Sequence, residues 1–164
     1  MEYAIENEYL IVTVTTWGAQ VKSVVRKFDD VEHMWQADKS VWGYHAPILF
    51  PHTGKVVDDL IETKGEVYQA KQHGFARLME HTLVRQTEDT IVMELRSSEE
   101  TLRIFPYAFR LVSTFTLDGD TLHHKLTVEN WDADKLYFGI GYHPAFTVPF
   151  DDEHTLSDYE LRFS

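Results

Sequence analysis

The run Leu136-Tyr137-Phe138-Gly139-Ile140-Gly141-Tyr142-His143-Pro144 holds residue types well suited to chemistry. In an extended strand, Tyr137, Gly139, Gly141 and His143 share one face. Two of those positions have no side chain. Glycine inside a strand weakens it and marks the close approach of a ligand or of another backbone. An imidazole at the end of such a face can stand over a small molecule. Pro144 ends the strand and holds His143 in extended geometry. The residues alone leave two readings open, a ligand-facing strand or a bend that the histidine caps.

A second group, Gln72-His73-Gly74-Phe75-Ala76-Arg77, lies outside any periodic segment and suits a binding loop. Gly74 permits an unusual backbone angle beside His73. Arg77 offers a planar fork of donors to hydroxyl or carboxylate oxygens. A surface loop whose arginine pairs with carboxylates is the alternative. A third group runs from Ala46 to Lys55, an apolar plug between Pro47 and Pro51 followed by His52, Gly54 and a cation. It fits the wall of a pocket or a buried crossover.

The 9 histidines include no His-x-His and no His-Glu-x-x-His spacing. The adjacent His123 and His124 point to opposite faces of a strand, so no metal site is expected. The acidic pairs Asp29-Asp30, Asp58-Asp59 and Glu99-Glu100 and the run Asp151-Asp152-Glu153 fall in turn-like or strand-end contexts and read as solvated charge. There is no nucleophile elbow and no phosphate-cradling loop. Without cysteine, disulfides, thiolate catalysis and cysteine zinc sites are excluded.

The elements that must position these groups are strands. Leu10, Val12 and Val14 alternate with polar or β-branched neighbours, and Val21, Ser23 and Val25 continue after the break at Trp17-Gly18-Ala19. Ile91, Met93 and Leu95 form another apolar face, as do Phe109, Leu111, Ser113, Phe115 and Leu117. Asp118-Gly119 is a hairpin signal, followed by Leu122, His124, Leu126 and Val128 on one face. Such hairpin-linked strands predict an all-β, antiparallel two-sheet sandwich. Helical pattern is scarce, with one turn expected over Lys39–Tyr44.

The chain of 164 residues carries 15 Lys+Arg against 27 Asp+Glu, a formal net charge of −12. That balance disfavours nucleic acid and anionic membranes as partners. With 43% hydrophobic and 26% charged residues it reads as one folded domain over 1–164. The acidic start Met1-Glu2-Tyr3-Ala4-Ile5-Glu6 is unlike a secretory leader, and the cytoplasm is the expected location. Tyr159-Glu160-Leu161-Arg162-Phe163-Ser164 has a strand's alternation that stops abruptly. The expectation is a sandwich incomplete at its C-terminus, with exposed apolar sheet and hence self-association.

Taken in order, five segments resemble the aldose 1-epimerase (galactose mutarotase) family, in particular its divergent bacterial branch. They are Trp17-Gly18-Ala19 with Val21, Pro47-Ile48-Leu49-Phe50-Pro51 with Gly54-Lys55, His73-Gly74-Phe75-Ala76-Arg77, Phe105-Pro106-Tyr107-Ala108-Phe109, and Gly141-Tyr142-His143-Pro144-Ala145-Phe146. The resemblance implies a galactose mutarotase-like supersandwich and a small-molecule sugar substrate, with neither cofactor nor metal. It implies that His143 and His73 are catalytic and that Lys55 and Arg77 contact the sugar. Lys55 stands where relatives commonly carry an arginine, which keeps the charge and loses the bidentate fork.

The reaction implied interconverts α and β anomers, with His143 as acid toward the ring oxygen and His73 positioning that oxygen or a neighbouring hydroxyl. The general base of such a site is a glutamate expected beyond residue 164. Trp35, Trp42 and Phe146 are candidates to stack on the sugar. Alternatives are a non-catalytic carbohydrate-binding protein on the same scaffold, a sandwich interaction module, or a hexose-phosphate mutarotase using Lys55, Arg77 and Lys71 around the phosphate.

Overall fold

A computed structural model describes residues 1–163. Glu2–Glu6 (β1), Leu10–Thr15 (β2), Gln20–Arg26 (β3) and Val31–Glu32 (β4) form one antiparallel sheet in chain order. After a long connection, Ile48–Leu49 (β5) stands apart, and Leu60–Thr63 (β6) and Glu66–Gln69 (β7) make a separate hairpin. Thr82–Gln86 (β8), Thr90–Arg96 (β9), Phe109–Asp118 (β10) and Thr121–Asn130 (β11) form a second antiparallel sheet in the order β11-β10-β9-β8. Gly141–Tyr142 (β12) returns to pair antiparallel with β5.

The two large sheets share one core, as the alternation predicts. Ile5, Val12 and Val14 of the first meet Ile91, Met93, Phe109, Leu111 and Phe115 of the second in one buried cluster. The sheets also join at a corner: Trp17 bridges Glu80, Gly18 N donates to Met79 O at 2.8 Å, and His81 N donates to Thr16 O at 2.8 Å. The Asp118-Gly119 turn closes on the pair Asp118–Thr121, and the register then runs unbroken to Phe109–Asn130.

Local expectations are corrected in three places. Val14 pairs with Val21 but Thr13 pairs with Ser23, so Lys22 is unopposed. This bulge reverses the face of β3, and Val24 packs on the core in place of Ser23 and Val25. The single turn expected over Lys39–Tyr44 is shorter, covering residues 39–41 and tied by Trp42 N to Asp38 O at 2.7 Å. The one α-helix among the described residues, Glu99–Leu102 (α1), is capped by Ser98 accepting from Thr101 N at 3.3 Å. Residues 159–163 carry the strand alternation without forming a strand, and Ser164 lies outside the described residues. Among the described residues no helix is long and apolar enough to cross a membrane.

Candidate active site

The segment from Pro47 to Gly54 is the spine on which both histidine-bearing stretches hang. The Phe50 carbonyl accepts from Phe75 N at 2.9 Å and from Ala76 N at 3.2 Å. This holds the 72–77 loop and the short 3-10 turn Ala76–Leu78 that follows. At its start the spine's Pro47 O accepts from His143 N at 3.1 Å, and Pro51 O accepts from Gly139 N at 2.8 Å. Beneath it, Phe50 meets Phe75, Phe105, Phe109 and Phe138 with ring centroids 5.1–6.1 Å apart. That aromatic platform gives the Phe105-to-Phe109 segment its role.

The two glycines of 136–144 differ in what surrounds them. A Cβ at Gly139 would make only ordinary contact with the His52 backbone, at 3.5 Å, whereas one at Gly141 would crowd the side chains of Thr53 at 2.9 Å and Leu49 at 3.3 Å. Gly141 thus makes room for side chains of the spine. His143, one residue past β12, is beyond that close packing and exposed. Gly74 is tighter still. A Cβ there would lie 2.1 Å from Phe50 O, and its φ is +69°. Gly18 likewise lies against the Arg77 carbonyl, 2.7 Å from a Cβ built on it, which explains why Trp17-Gly18-Ala19 belongs with the site.

His73 sits at φ +67°, a left-handed conformation uncommon for a residue with a side chain. Two hydrogen bonds to Gly54 fix it: His73 N donates to Gly54 O at 2.8 Å, and Gly54 N donates to His73 Nδ1 at 3.0 Å. With Nδ1 accepting, the neutral ring carries its proton on Nε2, which lies 3.2 Å from the Gln72 side-chain amide. Burial, then the positive charge of Arg77 and the His143 and His52 rings, pushes the His73 pKa below its ordinary value. The ring is therefore a neutral donor at neutral pH.

His143 and His73, distant in sequence, come together with ring centroids 6.3 Å apart and near-perpendicular planes. Trp42 lies 4.9 Å from the His143 ring. Of the three stacking candidates it alone is seen against the pair. Trp35 instead donates its indole N–H to Trp42 O at 2.8 Å, and Phe146 lines a separate hollow. Arg77 lies over the Tyr44 ring at 4.9 Å and donates to Gln72 O at 3.0 Å. Its Nε is buried and has no hydrogen-bond partner. Sequence reasoning missed Tyr44, because nothing in the spacing of Trp42-Gly43-Tyr44 signals a platform for a cation.

Lys55 is placed differently. Its backbone follows Gly54 beside His73, but its exposed ammonium lies 3.9 Å from Asp59. Lys71, the further cation considered for a phosphate, is exposed, and its carbonyl is 2.9 Å from His52 Nε2. No group of three or more His, Asp or Glu side chains able to hold a metal occurs among the described residues.

The family model for aldose 1-epimerase matches residues 1–164. The plasmid-encoded protein LacX of Lactococcus lactis subsp. lactis is 34% identical over 171 residues, covering all of this chain and 56% of that protein. The galactose mutarotase related enzyme of Lactobacillus acidophilus superposes with a TM-score of 0.94 at 35% identity, over 96% of this chain and 53% of that one. A galactose mutarotase-like protein of Lactobacillus casei gives 0.88 at 33% identity, over 93% and 52%. The chain thus spans about half the length of these relatives.

Proposed function

The chain belongs to the aldose 1-epimerase family, and from that premise we propose that it carries the imidazole side of a site interconverting the α and β anomers of an aldose. A base takes the proton of the C1 hydroxyl while an acid delivers one to the ring oxygen. The bond from C1 to the ring oxygen breaks, the aldehyde carbon rotates, and the ring closes on its other face. Proton transfers alone balance the reaction, and each well-placed group contributes typically about 10²–10⁴-fold.

His143 is assigned the acid. Its exposed ring, backed by Trp42, can reach a bound sugar. His73 is assigned the fixed donor, since its Nδ1 is occupied by Gly54 N–H and its Nε2–H, 3.2 Å from the Gln72 side-chain amide, exchanges that contact for the ring oxygen or a neighbouring hydroxyl. Arg77, over the Tyr44 ring, is assigned to sugar hydroxyls. Lys55 takes such a role only by leaving Asp59. The family's general base, a glutamate, is assigned to no residue of 1–164 and is expected past them. The observation that carries the reading is the 6.3 Å approach of the two imidazoles.

The test is exchange between galactose or glucose anomers, measured by NMR on the full protein and its His143→Ala variant. The variant is expected to lose about 10²–10⁴-fold in exchange. Exchange equal to the parent's refutes the acid assignment. Sugar binding with no accelerated exchange in the parent favours the non-catalytic reading. A second reading, a sugar phosphate, is favoured by Arg77, whose positive charge stands close enough to act on the His73 ring. Comparing glucose with glucose 6-phosphate separates the two.

A further inference from the structure

His52 is a third imidazole close to His73, and the reaction so far gives it no role. Its ring is half-buried. Nε2 stands 2.9 Å from Lys71 O and 3.2 Å from Gly74 N. Nδ1 is buried and has no hydrogen-bond partner. Gly74 N already donates to Lys71 O at 2.9 Å. A proton on Nε2 lets Lys71 O accept from both groups. A proton on Nδ1 would bury an unpaired N–H and set the Nε2 lone pair against the carbonyl oxygen. The neutral ring therefore carries its proton on Nε2, and its one satisfied edge is spent on the His73 loop.

Lys71 and Gly74 are the two ends of the turn that carries His73. At φ +67° His73 holds the third position of that turn, where a positive φ ordinarily calls for glycine. Such a conformation persists only where its surroundings over-determine it, and it gathers at functional sites. Here the spine supplies them. Gly54 binds His73 itself, through His73 N–H and Nδ1. His52, two residues earlier, binds the carbonyl on which the turn closes. Between them, Thr53 places its methyl 2.9 Å from where a Cβ of Gly141 would stand, two residues before His143.

We propose that His52 is a positioning residue for anomer exchange, which rests on the reading of His73 as the fixed donor. The bond from His52 Nε2–H to Lys71 O keeps the 71–74 turn closed. The closed turn keeps His73 Nδ1 on Gly54 N–H, and so keeps the His73 proton on Nε2. Without that bond the turn relaxes, the His73 ring leaves Gly54 N–H, and both tautomers become available to it. The loss falls on turnover, because Arg77 lies past the turn, where Phe50 O holds Phe75 N and Ala76 N independently of His52.

Substitutions in the full protein test this. His52→Phe keeps a ring and removes the donor, whereas His52→Gln keeps an N–H at about the reach of Nε2. In anomer exchange followed by NMR, His52→Phe is expected to lower kcat about 10–100-fold with KM changed less than about twofold. His52→Gln is expected to restore most of the rate. A second readout needs no turnover: the nitrogen chemical shifts of the His73 ring report its tautomer. They are expected to show the Nε2–H form in the parent and in His52→Gln, and a mixture in His52→Phe. His52→Asn, whose amide stops short of Lys71 O, is expected to match His52→Phe in both readouts and keeps the test open if the phenylalanine disturbs the fold, which far-UV circular dichroism checks. A His73 tautomer unchanged in both donor-free variants overturns the proposal, as does an equal loss of kcat in His52→Gln and His52→Phe. A parent without exchange overturns the epimerase reading instead, and the His73 shifts then decide the role of His52.

Discussion

Gly74→Ala separates two reasons for a glycine, and the neighbouring loop supplies its control. At Gly74 the φ is +69° and a Cβ would stand 2.1 Å from Phe50 O. At Gly54 the φ is +74°, but nothing lies within 4 Å of the added carbon. Alanine at Gly54 therefore meets only the left-handed backbone penalty, about 1–2 kcal/mol. Alanine at Gly74 meets that penalty and must also push the loop off the Phe50 carbonyl. Two hydrogen bonds are lost there, from Phe75 N and Ala76 N, each contributing about 1 kcal/mol. The expected losses of stability are about 1–2 kcal/mol at Gly54 and about 3–4 kcal/mol at Gly74. Urea unfolding of both variants measures the difference directly. Equal losses refute the claim that close backbone approach dictates Gly74. The same displacement moves His73 and Arg77, so a Gly74→Ala protein that still folds is expected to lose anomer exchange, whereas Gly54→Ala is expected to keep most of it.

Other consequences are equally accessible. His124 stacks on Phe115 at 4.3 Å, and burial pushes its pKa down from 6.5 to about 4. The unfolded chain gains a proton there as pH falls below 6.5, while the folded chain resists until about 4. Stability is thus full above pH 6.5 and declines toward pH 4 by about 3 kcal/mol. Burial shifts His81 in the same direction. His124→Phe is expected to flatten that part of the pH profile, and an unchanged slope in urea titrations counts against it. Phe50→Ala removes the centre of the aromatic platform and is expected to cost about 3–5 kcal/mol in the same assay; a loss below 1 kcal/mol would mean that the platform does not bear on the spine. Tyr44→Ala frees the Arg77 guanidinium. A cation–π contact of about 0.5–1 kcal/mol implies sugar affinity weaker by roughly 2–5-fold in titration calorimetry, with stability nearly unchanged. No change in affinity would remove Arg77's positioning from the account of the site.

The strands of the sandwich are legible in the sequence because one face of each is apolar and the period is two. Ile91, Met93 and Leu95 are all buried, as are Phe109, Leu111, Phe115 and Leu117. Where the chain departs from regular pairing, the pattern misleads. Nothing about Lys22 announces a bulge, and the face of β3 changes there. The β6–β7 hairpin escapes notice because its strands are mostly exposed and its turn, Lys64-Gly65, is a weak signal. In the candidate site, His73, His143 and Arg77 are found by their residue types and their loop or strand-end settings. The spine that gathers them is not, since Pro47-Ile48-Leu49-Phe50-Pro51 states only that it is apolar. What it does depends on which carbonyls it offers to chains far along the sequence.

That spine bears on how the molecule can change. One peptide stretch holds His143 at Pro47 and the His73 loop at Phe50 and Gly54. A residue inserted or deleted between those points would throw both imidazoles out of step in a single event, leaving neither as a partial remnant to be improved later. The β6–β7 hairpin, which the same stretch leads into, holds neither imidazole, and its tip answers to other residues, Lys64 pairing with Asp132 at 2.8 Å and Asp134 at 3.1 Å.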